Sequence, residues 1–388
     1  YGRMGSKDRV TTHYHMTVED NIIQDIVAEL EVTSDYARRR AEIRAWNKES
    51  PVLKRGISLV PVKFGISFTL IYFNQAGALV NIYTDGSIQL NHGGTEMGQG
   101  LYVKVAQVVA EEFQIDINRV KVTATNTGKV PNTSPTAASS GTDLNGMAAL
   151  DACQKIKAKI IAFAAAKWGV KESDVEFLPN TVRVGEERIA FPEFVQMAYQ
   201  ARVSLSSSGF YATPDIHWDS AKAKGQPFFY FSYGAAVTES VIDTLTGENR
   251  ILRVDILHDV GKSLNPAIDL GQIEGGYVQG AGWLTMEELV YDAKGRLTTH
   301  APSTYKIPAC SDRPPDLRVN LWASEGNPAK TVYRSKAVGE PPLMLGISAL
   351  YALSDAISAA GDYQTDPLLD APATPERVLM AVERLRKS

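Results

Sequence analysis

The chain reads as an α/β (α+β) protein built from two intertwined lobes of mixed sheet and helix. Three observations predict this. Glycine-rich or small-residue loops run twice into a helical pattern, first at Asn91 to Gly100 and again at Pro131 to Gly141. Alternating apolar runs lie on either side of these loops, with the period of two that half-buried strands show. A Gly225 to Pro227 break separates a second set of long strands from the first. The resulting division is an N-terminal helical segment over 1–55, a first lobe over 56–224 and a second over 225–388.

Taken in order, the span from Thr17 to Trp46 is helical in pattern, because Val18, Ile22, Ile26 and Leu30 keep one face apolar. A second helix carries Arg38-Arg39-Arg40, which reads as a solvated face rather than a binding patch. His13 and His15 flank Tyr14 in a strand or loop; as metal ligands they would need a third, and none is near in sequence. Gly56 to Tyr83 looks like β-structure, with Ala78 to Tyr83 alternating before the Asp85-Gly86 turn.

The first loop, Asn91-His-Gly-Gly-Thr-Glu-Met-Gly-Gln-Gly100, has four glycines in ten residues. Behind it Leu101, Val105, Val108, Val109 and Phe113 share a helix face. The free amides of such a helix start carry partial positive charge and suit an anion. A short strand at Val120, Val122 and Ala124 precedes the second loop, and a long helix runs from about Leu144 to Trp168. Two such termini could grip one polyanionic cofactor, although glycine-rich turns before helices are also ordinary connecting chemistry. The usual nucleotide fingerprints are missing: Gly98-Gln-Gly100 does not complete Gly-x-Gly-x-x-Gly, and no Gly-x-x-x-x-Gly-Lys-Ser/Thr occurs.

Short strands and helices fill Val170 to Ala212, with a serine-rich turn and no visible chemistry. Phe228 to Ser240 and Ile251 to Asp259 read as long strands joined at Thr246-Gly247. Asn265-Pro266 opens a helix bearing Gly271, Gly275, Gly276, Gly280 and Gly282. Each glycine there costs up to about 1 kcal/mol, so close approach of a helix or ligand is expected in return. Glu340 precedes Pro341, which predicts an extended backbone at Glu340 and a helix after it. The carboxylate could cap that helix or be held ready for chemistry. The apolar stretch from Pro341 to Ile357 falls short of the roughly 20 residues a bilayer span needs and reads as a core helix.

Composition narrows the class. With 388 residues the chain can bury a large core, and 44% hydrophobic with 22% charged residues is ordinary globular usage. A net charge of −4 argues against nucleic acid, and neither a membrane span nor an apolar leader is visible near Tyr1. Two cysteines, Cys153 and Cys310, cannot build a zinc site or an iron–sulfur cluster alone, and their scarcity suits a reducing cytoplasm.

Three segments together closely resemble the molybdenum-pterin subunit of the xanthine dehydrogenase/xanthine oxidase family: His92-Gly-Gly-Thr-Glu-Met-Gly-Gln-Gly100, Val130-Pro-Asn-Thr-Ser-Pro-Thr-Ala-Ala-Ser139 and Lys336-Ala-Val-Gly-Glu-Pro-Pro342. The resemblance runs from about Tyr36 onward and corresponds to the C-terminal half of that subunit, so the two lobes would be those of a molybdenum-cofactor-binding domain. It implies that Glu340 is the catalytic base, which takes a proton from the metal-activated nucleophile before attack on an electron-poor ring carbon. Phe68 would stack on a flat heterocycle and Thr69 would sit at its edge; without the resemblance Phe68 is simply a core residue. Met97, Gly98, Gln99, Thr136, Ala138, Ser139, Ser140 and Gln272 would meet the pterin. The Ala138 backbone would lie nearest molybdenum, with no side-chain metal ligand.

The same resemblance implies molybdopterin, plain or as its dinucleotide, with [2Fe-2S] clusters and FAD carried by partner domains or subunits. Other implied partners are the upstream half of the molybdenum domain, which holds further substrate-orienting residues, a small purine substrate and a second copy in a dimer. A purine-oxidising molybdenum hydroxylase is the first reading. Hydroxylation of aldehydes or other N-heterocycles, or a non-catalytic pterin-binding scaffold, are the alternatives.

Overall fold

A computed structural model describes residues 10–129 and 132–387. Val130 and Pro131, which open the second motif, and the stretch from Tyr1 to Arg9 lie outside the described residues. The first elements are α1 (Ile23–Thr33), α2 (Tyr36–Glu49) and the long strand β1 (Leu53–Ile66). Strands β2 (Gln75–Ile82) and β3 (Ile88–His92) then lead through the first glycine-rich loop into α3 (Leu101–Phe113). β4 (Val120–Val122) precedes the second loop and α4 (Gly141–Trp168).

A small meander follows, made of β5 (Val175–Leu178), β6 (Thr181–Val184) and β7 (Glu187–Ala190), with α5 (Phe191–Gln200) behind it. β8 (Ser206–Ala212) and the short pair β9 (His217–Asp219) and β10 (Lys224–Gln226) complete this part. The remainder comprises β11 (Tyr230–Asp243), β12 (Asn249–His258), α6 (Pro266–Thr285), β13 (Asp316–Leu321), α7 (Ile347–Ser358) and α8 (Pro375–Lys387).

Two four-stranded sheets organise these elements, in the orders β4-β3-β2-β8 and β1-β11-β12-β13. β1 pairs antiparallel with β11 along its whole length, from Leu53 opposite Asp243 to Ile66 opposite Tyr230. The second sheet therefore takes a strand from before residue 67, and the chain passes between the lobes more than once. Each sheet seats a buried helix against a strand glycine. A Cβ at Gly209 on β8 would lie 2.0 Å from the Ala148 carbonyl of α4, and one at Gly56 on β1 would lie 2.1 Å from the Ala352 carbonyl of α7. Only glycine permits such approach of backbone to backbone.

Several local expectations need correction. Helix begins at Ile23 rather than Thr17, and Val18 is buried from a non-helical approach. Of the arginine run, Arg39 is buried and not solvated: it reaches Glu239 at 2.7 Å and Asp255 at 2.8 Å on the second sheet. The apolar segment near Pro341 is continuous over Pro341–Gly361, 21 residues, and so is long and apolar enough to cross a membrane by length and composition. Its Ala349, Ala352, Leu353, Ala356 and Ile357 are buried in the core, as expected of a core helix.

Candidate active site

The glycine-rich loop turns sharply because Gly98 and Gly100 take left-handed backbone angles, with φ 98° and 77°. The amides at and just before the start of α3 are not all left open, contrary to the expectation from sequence. The Glu96 carboxylate accepts the Gly98, Gly100 and Tyr102 amides at 2.9, 3.0 and 2.9 Å. Partial burial would raise the Glu96 acid, but these amide bonds outweigh it and hold the group below the usual glutamate range. The helix end is therefore capped from within, and the loop is shaped by its own acid.

The second loop is stitched to the first, since the Thr95 amide donates to the Thr136 hydroxyl at 2.9 Å. It ends in a tight turn in which Ala138 and Ser139 both have φ 55°. The amides of these two residues make no hydrogen bond among the described residues. The turn delivers the chain into α4, whose first turn carries the buried acid Asp143.

The third contributor is the segment 335–340. Its last residue donates its amide to the Ser139 hydroxyl at 2.7 Å. Glu340 has φ −98° and ψ −36°, a helical backbone and not the extended one expected before proline. Its side chain makes no capping bond, and no other hydrogen bond among the described residues. The helix that follows presses on α6, where a Cβ at Gly280 would meet the Leu343 carbonyl at 2.1 Å. Gly276 and Gly280 thus serve helix packing, whereas Gly271 and Gly275 face open space.

These three segments and α6 enclose one cavity of about 260 Å³. Met97, Gln99, Thr136, Ser139, Gln272 and Glu340 line it. Gly98, Ala138 and Ser140 belong to the same loops but do not line that space, and Ser140 is buried with its hydroxyl on the Ala137 carbonyl at 3.2 Å. Gln99 is engaged by its own loop: its side-chain amide donates to the Thr95 carbonyl at 2.8 Å and accepts from the Met97 amide at 2.5 Å. The side chain of Gln272, a half-buried residue, makes no hydrogen bond among the described residues.

Phe68 and Thr69 stand outside the cavity. Phe68 is edge-on to Phe73 with ring centroids 5.4 Å apart, and Thr69 is exposed. The Ser134 hydroxyl donates to the Phe73 carbonyl, so this turn is nevertheless joined to the second loop.

The cavity also holds charged groups that the motifs do not reveal. Lys104 of α3 is paired with Asp269 of α6, and Ser263 donates to that same carboxylate at 2.5 Å. Asp143 accepts the Tyr230 hydroxyl at 2.6 Å. Burial pushes the Asp143 carboxyl up to about 7, against the pull of the Tyr230 hydrogen bond and the Lys104 charge. In sequence, Asp143 is one acid in the first turn of a helix, which complementing the dipole would explain; its partner is 87 residues away. Among the described residues no three His, Cys, Asp or Glu side chains gather as a metal site.

The protein belongs to a family of cofactor binders: residues 29–314 match the molybdopterin cofactor-binding domain, and the chain is a member of that family. It is similar to xanthine dehydrogenase of Oryza sativa subsp. japonica, 46% identical over 380 residues, which cover 95% of this chain and 26% of that protein. Similarity to xanthine dehydrogenase/oxidase of Mus musculus is also 46%, over 96% of this chain and 27% of that one. The chain thus spans about a quarter of the length of the curated relatives it matches.

The fold is shared with the Cu,Mo-CO dehydrogenase in its carbon monoxide reduced state, at TM-score 0.80 and 23% identity, over 96% of this chain and 47% of that one. Quinoline 2-oxidoreductase from Pseudomonas putida 86 gives TM-score 0.80 and 22% identity, again over 96% and 47%.

The residues present fit a pterin. The unpartnered Ala138 and Ser139 amides offer donors for its anionic or dithiolene end. The free amide of Gln272 offers both a donor and an acceptor for a heterocycle edge.

Proposed function

We propose that the chain is the C-terminal half of the molybdenum domain of a xanthine dehydrogenase/oxidase-type hydroxylase, which oxidises hypoxanthine and xanthine to urate. The observation that carries this is the Glu340 carboxylate, without a hydrogen-bond partner among the described residues and lining the same cavity as the loops that fit the pterin. The similarity of nearly the whole chain to proteins named xanthine dehydrogenase supports the purine substrate.

When bound, the molybdenum-pterin group would supply two-electron redox chemistry and an activated, water-derived oxygen. The protein's own part is acid–base chemistry and placement. Glu340, its carboxylate unencumbered, takes a proton from the attacking oxygen. The Ala138 and Ser139 amides and the Gln272 side chain fix the pterin, with Met97, Gly98, Gln99, Thr136 and Ser140 shaping the two loops around it. Phe68 and Thr69 form the substrate side, which the upstream half of the domain completes.

Electrons leave through [2Fe-2S] clusters and FAD on partner domains or subunits. Two cysteines, Cys153 and Cys310, cannot supply the four thiolates of such a cluster by themselves. The assembled enzyme is a cytoplasmic dimer in this reading. The test is to purify the full-length protein that carries this chain, then assay pterin and molybdenum content and turnover of xanthine and of aldehydes. Urate formation with metal loaded is the expected result. Aldehyde turnover alone would overturn the purine assignment, and absence of bound pterin would overturn the reading as a whole.

A further inference from the structure

Two hydrogen-bonded chains fasten the segment that presents Glu340, and both start on the same turn of the protein. One is direct: the Ser139 hydroxyl accepts the Glu340 amide at 2.7 Å. The other has two steps. The Asp143 carboxylate accepts the Tyr230 hydroxyl at 2.6 Å, and that hydroxyl oxygen accepts the Ala337 amide at 2.8 Å. Asp143 lies four residues beyond Ser139, and Ala337 three before Glu340. Asp143, Tyr230 and Ala337 are 7%, 4% and 9% exposed, so water does not compete for these bonds.

We propose that Asp143 and Tyr230 are positioning residues for Glu340. The relay from Asp143 through Tyr230 to Ala337 sets where the backbone places the Glu340 carboxylate, and the Ser139 bond fixes its far end. The inference rests on the reading of Glu340 as the base of the site, and it assigns to two residues outside the motifs a role in aiming that base.

The geometry explains the expense of a buried acid at this point. A tyrosine hydroxyl has one proton to donate, so it can accept from Ala337 in a fixed orientation only if something else takes that proton. Asp143 takes it. Burial raises the Asp143 acid and the Lys104 charge opposes this, and Tyr230 beside it is pushed well above its ordinary value and stays a donor. Burial first, and then the Asp143 charge, also raise the Tyr211 hydroxyl of β8. The Lys104 ammonium is itself held by Asp269, which leaves Tyr230 as the hydrogen-bond partner of Asp143.

The test uses the full-length, metal-loaded protein and two readouts, amide hydrogen exchange over 335–340 and steady-state kinetics. Tyr230→Phe keeps the ring and its packing but deletes both bonds. Exchange in that segment should accelerate about tenfold or more, as expected for a lost hydrogen bond. kcat should fall at least tenfold, with KM and molybdenum content near wild type. Asp143→Asn keeps an acceptor for Tyr230 and should restore most of the protection and rate, whereas Asp143→Ala should not.

Wild-type exchange and a kcat within threefold for Tyr230→Phe would overturn the proposal. Should that variant fail to fold, equal behaviour of Asp143→Asn and Asp143→Ala in both readouts would overturn it instead. Hydrogen exchange does not depend on the substrate. Faster exchange in a protein that turns over no purine would therefore count against the functional reading and leave the positioning role standing.

Discussion

The Glu340 amide donates to the Ser139 hydroxyl across 201 residues of sequence, at 2.7 Å. This bond joins two of the three motifs at the point where both reach the cavity. Its consequence is that the carboxylate following that amide cannot drift independently of the second loop. The third motif is held in turn, because Thr95 of the first loop donates to Thr136.

Glu340→Gln keeps the shape of the side chain and removes its basicity. Since no hydrogen bond among the described residues depends on that carboxylate, folding and cofactor content should be unchanged. Turnover should fall by about 10²–10⁴-fold, the usual contribution of a positioned base. Steady-state kinetics beside a metal assay decide this, and a rate within threefold of wild type at full loading would make Glu340 structural.

Gly280→Ala and Gly275→Ala lie on the same helix and should behave oppositely. The added methyl at Gly280 meets the Leu343 carbonyl at 2.1 Å and must push the Glu340-bearing segment off α6. A loss of about 1–3 kcal/mol is expected, typical of overpacking, together with lower activity. At Gly275 nothing lies within 4 Å, so the helix preference of alanine should leave stability unchanged or raise it by up to about 1 kcal/mol. Denaturant melts of both variants would show the contrast.

Arg39→Ala should cost about 3 kcal/mol, because it strands two buried carboxylates. The figure sits at the low end of the range, since Arg55 still reaches Glu239 and Arg253 still reaches Asp255. Arg38→Ala, one residue away and exposed in its pairs with Asp35 and Glu42, should leave stability nearly unchanged, because solvent screens both pairs. Equal effects in equilibrium unfolding would contradict the division of this arginine run into buried and solvated members.

Acid should unfold the protein partly through two imidazoles. Burial lowers His92 and His258 to about 4, with Glu96 and Asp259 opposing it, and each ring leaves Nε2 without a partner among the described residues. The unfolded chain takes up these protons near the ordinary value of about 6.5 while the native state does not. The stability they contribute is therefore present above that pH and is lost as pH falls from about 6.5 through 4. Unfolding free energy measured across this window should decline less steeply in His258→Asn than in the wild type, if the variant folds.

Much of this was legible in the sequence, because the signals were local. Glycines at Gly98 and Gly100 announce a turn, the helical spacing behind them announces α3, and apolar runs between turn signals announce β1, β11 and β12. Asn265-Pro266 marks a helix start, and the Asn265 side chain does accept the Ile268 amide at 3.2 Å. The three motifs carried the family resemblance that the match to the molybdopterin cofactor-binding domain bears out.

The tertiary structure decided whatever depended on partners distant in the chain. Arg39 reads as one of three equivalent arginines until a strand 200 residues away supplies Glu239. Asp143 reads as a helix-start acid until Tyr230 and the surrounding core take it out of water. Glu96 reads as one loop residue among ten, yet it closes the amides that the sequence seemed to leave open. Glu340 was visible as a residue before two prolines, but its helical backbone and its bond to Ser139 follow from the packing of its helix against Gly280. Propensity and periodicity are properties of neighbours along the chain, whereas burial, and the charge states and bonds that follow from it, are set by what the fold brings together.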